Sequence, residues 1–407
     1  MQFRPILSAM RRNKVGAVLI AVQMAITLAI LCNALFIIQQ RIALSKRPTG
    51  ADEANIVVLV NQWVGTHADA SARQAGDLAA LRSLPGVQDA FASNTSPLTD
   101  GGSTTGLSLH PDQKTATVSS ALYFGDEHAI ASWGLKLIAG RNFNSDEVVD
   151  KVGYTDLRPP AGIIVTRALA EKLFPGGNAV GQSVYEDKDK LPIVGVIDRL
   201  QVPWVTAGGW GSKFNDNSII VPFRFLSPYP TSYIVHAQPG QAAAVMQSAP
   251  KKLFEVSRER VILKTRAMTT MREDIYKDDK GLVVILGVVC VALLAVTSFG
   301  IVGLTSYWVA QRRRQIGIRR ALGATRNAIV QYFQTENLLI AAAGAAIGVA
   351  LAVSLNLWMV SAFAMQRLNP GYTLVGAVVV LLLGQAAVLW PALKAASIPP
   401  ALATRAA

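Results

Sequence analysis

Six arginines and one acid within 31 residues are the chemistry this chain offers. Between Ala310 and Ile340 stand Arg312, Arg313, Arg314, Arg319, Arg320 and Arg326, with Glu336 as the single carboxylate. Guanidinium groups at this density grip phosphates or carboxylates through forked, charge-assisted hydrogen bonds. Ile316, Ile318, Ala321, Leu322 and Ala324 lie among them and supply an apolar surface on which a partner can dock, with Gln315 in their midst. None of these side chains is a nucleophile or a general base, so the stretch reads as a docking segment. Glu336 is placed either to pair with one of the arginines and anchor the segment or to stand in water as an interfacial acid.

Other candidate sites fail on spacing, and no catalytic residue and no metal site is expected. His67, His110, His128 and His236 are scattered, with no pair at helix or strand spacing and no cysteine beside them. Gly208-Gly209-Trp210-Gly211-Ser212-Lys213 lacks the order of a phosphate loop. The acids at Asp187/Asp189 and Asp278/Asp279 alternate with lysines, as on a solvated face. No nucleophile-elbow motif is present.

The elements that must position the arginines are apolar. Four charge-free stretches, Val15–Gln40, Gly281–Gln311, Asn337–Gln366 and Leu368–Leu393, run for 26, 31, 30 and 26 residues. Each exceeds the ~20 residues that span a bilayer core. The chain has 407 residues, 51% hydrophobic and 16% charged, with a mean hydropathy of +0.34. The expected fold is a membrane protein of four transmembrane α-helices with a large extracytoplasmic α+β domain, built on a mixed sheet, between the first and second.

The net charge of +13 belongs to orientation. From Arg41 to Lys280 there are 26 basic against 25 acidic residues, and the other 13 basic residues face Glu336 alone. With four spans threaded, 12 of those 13 fall on one side and only Arg367 on the other. That is the positive-inside pattern, which places both termini in the cytoplasm and leaves no call for nucleic acid. The first apolar run is too long for a signal peptide, whose core is ~7–15 residues. Cys32 and Cys290 both lie in predicted spans and read as packing residues.

In order, the expected parts are a cytoplasmic amphipathic segment (1–14), a first span (15–40), an extracytoplasmic domain (41–266), a stalk (267–280) and a second span (281–311). A cytoplasmic coupling segment (312–331), a third span (332–362), an external turn (363–371), a fourth span (372–393) and a cytoplasmic tail (394–407) follow. Strand-like runs in the domain are Asn55–Val60, Gly106–His110, Gly162–Thr166, Gln182–Tyr185, Leu191–Ile197, Ser218–Val221 and Tyr233–Ala237. Helical runs are Ala68–Leu84, Arg167–Leu173 and Gln241–Val256, and Val202–Asn217 reads as a long exposed loop. The charged run Met268–Lys280 enters Gly281 without a proline, and a continuous helix there would make a stiff stalk. Gln23 and Asn33 in the first span are costly against lipid and so face other helices. Gly344 and Gly348 in a GxxxG setting allow close packing on a helix of the same or a second subunit.

Several of these residues carry a resemblance. Arg11-Arg12-Asn13-Lys14, Gly134-Leu135 with Ala139-Gly140-Arg141-Asn142-Phe143, Ala170–Gly177 with Val180-Gly181, and Ile193–Val196 recur in one family. So do Arg313–Ala324 (RRQIGIRRALGA) and Gln334–Leu338 with the Gly/Ala helix behind it. In order and topology the chain resembles the MacB/FtsX-like permease subunits of ABC transporters, of the mechanotransmission type. It departs from them at Gln315, where the family usually has a glutamate.

The resemblance implies a permease, itself without cofactor, that couples ATP hydrolysis to movement of a periplasmic domain in the bacterial inner membrane. No Walker motif is present and 14 residues precede the first span, so ATP and Mg are expected on a separate cytoplasmic ABC ATPase dimer. Its docking set would be Arg312–Arg314, Gln315, Ile316, Ile318, Arg319, Arg320, Leu322 and Arg326. A second permease copy or a sister permease, the lipid bilayer, and a periplasmic adaptor with an outer-membrane channel are the other partners it brings into view. Export of an antibiotic, peptide or siderophore is the function implied first. An FtsX-like regulator of a cell-wall hydrolase and a lipoprotein-releasing permease are the alternatives.

Overall fold

The structure is a computed structural model that describes residues 14–65, 69–152, 159–205, 216–226, 230–363 and 366–397. Of the expected features, the amphipathic segment up to Asn13, residues 206–215 of the long loop with its glycine run, 364–365 of the external turn and 398–407 of the tail lie outside these residues, as does His67. The chain divides into two compact units, Leu44–Asp278 and the remainder.

Helix α1 (Lys14–Ser45) comes first. The α/β unit then runs β1 (Ile56–Trp63), α2 (Ala70–Arg82), β2 (Val87–Ser93), β3 (Ser103–Leu107), β4 (Val118–Phe124), α3 (Ala129–Trp133), β5 (Leu137–Gly140), β6 (Val149–Val152) and β7 (Ile163–Thr166). It continues with α4 (Arg167–Leu173), β8 (Ser183–Glu186), β9 (Asp189–Ile197), β10 (Ser218–Val221), β11 (Phe223–Leu226), β12 (Thr231–Ala237), α5 (Ala242–Val256), β13 (Arg260–Ala267) and α6 (Met268–Ile275). Helices α7 (Lys277–Gln311), α8 (Arg313–Ala321), α9 (Arg326–Phe363) and α10 (Pro370–Ala396) follow.

The mixed sheet has the order β3-β4-β10-β7-β9-β5, with β8 added to β9. Its β4–β10 and β7–β9 pairs are parallel and the others antiparallel. Leu169 and Leu173 of α4 close its core with Ile163, Val165 and Ile219. A second sheet, antiparallel in the order β13-β1-β12-β2, is present as well. Its outer members β2 and β13 are among the strands not read from sequence, because Gln88, Asp89, Lys264 and Arg266 break up their apolar runs.

Strand alternation gives this second sheet two different faces. Val57, Leu59, Tyr233 and Val235 pack on Leu78 and Leu81 of α2 and on Val245 and Leu253 of α5. Ile56, Val58 and Ile234 pack the other way, with Phe91, Tyr123, Trp133, Met268 and Met271. Behind α2 lies a closed polar knot: Arg260 donates to both oxygens of Asp77 at 2.8 and 2.7 Å, Tyr233 donates to the same carboxylate at 2.7 Å, and Trp63 lies 4.0 Å under the guanidinium.

The expected stalk is not one helix. Helix α6 ends at Ile275, Tyr276 leaves helical geometry at φ −98° and ψ 9°, and α7 begins at Lys277. The tyrosine is fully buried, so burial of an aromatic ring takes precedence over helix continuity here. Helix α6 is held by Arg272, which donates to Glu53 at 2.5 and 2.6 Å and to the carbonyls of Ser45 and Arg47. Burial pushes the Glu53 carboxyl up, but Arg272 and Thr49 outweigh it and leave it below the usual range.

In the other unit α1, α7, α9 and α10 are long and apolar enough to cross a membrane. Each runs past its charge-free stretch at one end at least, since backbone hydrogen bonding does not stop where the apolar run does. Helix α1 is the most enclosed of the four, with Ile20, Met24, Leu28 and Cys32 fully buried. Its neighbours reach it through glycines. A Cβ at Gly344 would lie 2.7 Å from the Ala21 carbonyl oxygen, one at Gly348 2.9 Å from that of Ala25, and one at Gly376 2.5 Å from Cys32 Sγ.

Polar groups close the same contacts. Thr27 and Thr297 hydroxyls meet at 2.8 Å, Gln23 Nε2 donates to the Val296 carbonyl at 3.1 Å, and Asn33 Nδ2 donates to the Ala352 carbonyl at 3.1 Å. Gln23, Asn33, Gly344 and Gly348 thus each make a contact within the chain.

Candidate functional site

The arginine segment folds as a short helix and a tight corner. Helix α8 ends in a Schellman turn: Ala324 N–H donates to the Arg319 carbonyl at 3.0 Å and Gly323 N–H to that of Arg320 at 3.2 Å. The turn needs Gly323, whose φ of +95° would strain an L side chain. Thr325 then caps α9, its hydroxyl accepting from Ala328 N–H at 3.2 Å. The run Leu-Gly-Ala-Thr therefore reverses the chain, and the reversal lays α8 against the start of α9.

Three arginines hold α8 in place. Arg312 Nη1 donates to both Glu336 oxygens at 3.0 and 2.8 Å, with the carboxylate 4% and the arginine 13% exposed. Arg319 lies 4.9 Å over the Tyr332 ring. Arg320 Nη1 donates 2.8 Å to the carbonyl of Ala396, at a helix C-terminus, where unpaired carbonyls attract cations. Ile316 is buried in one cluster with Ile329 and Phe333.

What remains outward is a smaller set. Arg313, Arg314, Gln315 and Arg326 are exposed, and none of these arginines has an ion-pair partner among the described residues. Ile318 and Leu322 are 46% and 82% exposed. The structure thus divides the expected docking residues into Arg312, Ile316, Arg319 and Arg320, which have partners inside the chain, and six that face out. Tyr332 and the end of α10 belong to the site and were missed. An aromatic at the start of a span is a signal for the first, and no local pattern announces the Ala396 carbonyl. Among the described residues no group of three or more His, Cys, Asp or Glu side chains is arranged to hold a metal ion.

The chain thus carries four apolar helices, an α/β unit inserted after the first of them, and a basic corner between the second and third. Residues 16–252 match the MacB-like periplasmic core domain and residues 287–400 the FtsX-like permease C-terminal domain. The chain belongs to this MacB/FtsX-like permease family. It is 29% identical over 205 residues to the macrolide export ATP-binding/permease protein MacB of Brucella abortus, covering 49% of this chain and 30% of that one. With the protein of that description from Neisseria gonorrhoeae it shares 23% identity over 287 residues, 67% of this chain and 40% of the relative. The chain thus spans well under half of these relatives. The periplasmic region of MacB from Actinobacillus actinomycetemcomitans overlays with a TM-score of 0.35 at 15% identity, over 57% of this chain and 97% of that region. The family assignment takes nothing from that overlay.

Proposed function

We propose that the chain is the permease subunit of an ABC exporter of the bacterial inner membrane, with both termini cytoplasmic and the α/β unit periplasmic. A separate ATPase dimer, which carries ATP and Mg, docks on the α8 corner. Closure of that dimer moves the periplasmic domain, so the substrate is handled outside the inner membrane. The carrying observation is the division of labour at the corner. Internal contacts of Arg312, Ile316, Arg319 and Arg320 fix α8 to α9 and α10, so a push on the exposed face is passed to two spans. The exposed Arg313, Arg314, Ile318, Leu322 and Arg326 offer an apolar centre with a basic rim, the complement of an acidic-rimmed hydrophobic groove. The spans contain almost no charge with which to line a polar pathway, which suits levers.

The test is co-purification of the full chain with a co-expressed ABC ATPase subunit, and the ATP hydrolysis of the pair in nanodiscs. Leu322→Asp, on the most exposed apolar side chain, is expected to release the ATPase and cancel stimulation while the chain stays folded. Unchanged binding in Leu322→Asp and in Arg313→Glu/Arg314→Glu would overturn the docking assignment.

A further inference from the structure

The antiparallel sheet of the α/β unit is covered on one face by α2 and α5, but its other face is covered only in part. The uncovered part is a half-open cavity of about 520 Å³, inside the range of small-molecule sites, about 300–1,000 Å³. Val58, Val60 and Ser232 form its floor, Met271 and Ile275 of α6 one wall, and the loop from Asn94 to Asp100 the other. A register shift between Val60 and Asn61 in the β1–β13 pair brings Leu263 in beside Lys264.

The loop wall is strained and braced. Leu98 and Asp100 hold φ of +66° and +57°, two of only four non-glycine residues so placed among those described. Positive φ is rare for a bulky side chain and persists where surroundings enforce it. The Thr95 and Thr99 hydroxyls supply that enforcement, donating to the Gly101 and Ser96 carbonyls at 2.6 and 2.8 Å.

Charge and span indicate the occupant. Arg266 and Asp274 neutralise each other at 3.0 Å. The cavity's other two charges, Lys264 and Asp100, are exposed and have no ion-pair partner among the described residues. Lys264 stands at the β13 edge of the sheet, in one register row with Val60, Ser232 and Ser93, and Asp100 lies in the loop that follows Ser93 at the opposite edge. The sheet that floors the cavity is therefore three strand spacings wide, about 14 Å, the reach of about four extended residues. We infer that this cavity binds a short, extended apolar peptide of three or four residues with both ends free, its ammonium at Asp100 and its carboxylate at Lys264. As a cargo site the cavity rests on the exporter reading above. As a binding site it does not, so the two fail separately.

The test is calorimetric titration of the full chain in nanodiscs with tetra-leucine in three forms: free, N-acetylated and C-amidated. The free form is expected to bind, and each blocked end to weaken binding by up to about fivefold, the yield of one exposed ion pair. Asp100→Asn, which tolerates the same backbone, is expected to erase the penalty for acetylation only, and Lys264→Met that for amidation only. Both positions are exposed, so neither change removes a buried side chain. No binding of the free peptide, or equal binding of all three forms, overturns the proposal, as does a penalty that survives its matching variant.

Discussion

Two arginine–carboxylate pairs, one in each unit of the chain, are built to opposite ends. Arg260 and Asp77 are both fully enclosed, and the carboxylate takes a forked guanidinium and a tyrosine hydroxyl while a tryptophan covers the cation. Arg312 meets Glu336 through one nitrogen only, at the end of an exposed helix. The first pair has no room to move without leaving a bare charge in the core. The second is enclosed at its carboxylate but 13% exposed at its arginine, and a single nitrogen makes the contact. Surroundings, more than the pair itself, decide whether an ion pair is a rivet or a joint.

The largest effect should come from the rivet. Arg260→Met leaves Asp77 buried without its cation and is expected to cost about 3–5 kcal/mol, read as a loss of thermal stability of the purified chain. A third enclosed acid sharpens the contrast. Asp126 has its nearest arginine, Arg82, at 4.0 Å, and Arg82 is shared with Asp89, itself paired to His128. Burial pushes the Asp126 carboxyl up to about 6, against the pull of the His128 N–H and of Arg82. A carboxyl raised in the folded state adds stability in full below its unfolded value near 4, and loses it as pH rises through about 6. Asp126→Asn should therefore remove a stability decline of up to about 3 kcal/mol between those values, and identical pH profiles for variant and parent would refute the assignment.

At the joint the expected loss is smaller. Arg312→Gln should cost about 1–3 kcal/mol and weaken ATPase stimulation more than it lowers stability. Exchanging the charges, Arg312→Glu with Glu336→Arg, should recover part of both, and a double variant no better than either single change would show that the contact carries nothing. Gln315→Glu should have the smallest effect, below about 0.5 kcal/mol on an exposed position. Its informative readout is coupling: stimulation equal to that of the parent would mean that a glutamine or a glutamate at 315 serves equally.

How far these pairs could be read from sequence depends on the distance over which each is decided. The four spans and the arginine cluster were readable because charge-free length and charge density are local quantities. Gly323 and Thr325 form a turn and a cap that the arginines around them overshadow in the sequence, and the partner of Glu336 is not legible there at all, since six arginines satisfy the same composition and only the corner's geometry selects Arg312. Arg260 and Asp77 lie 183 residues apart, and nothing near either marks it as buried. Strand β13 was missed for a related reason: Lys264 and Arg266 face a cavity, so their charges disguise a strand whose other side is core. Tyr276 divides a charged run that reads as one helix, because its ring is buried by residues far away in the chain.

Helix α1 sets a time as well as a shape. The carbonyl that accepts from Asn33 belongs to Ala352, 319 residues later. At about 5–20 residues per second of synthesis, roughly 15–65 s pass between the making of the two. Thr27 waits nearly as long for Thr297. Through that interval the first helix to enter the bilayer holds polar side chains whose final partners do not yet exist, and the glycines that will grip it are still unmade. Its biogenesis is therefore a prolonged wait in lipid, ended only as α9 and α10 arrive.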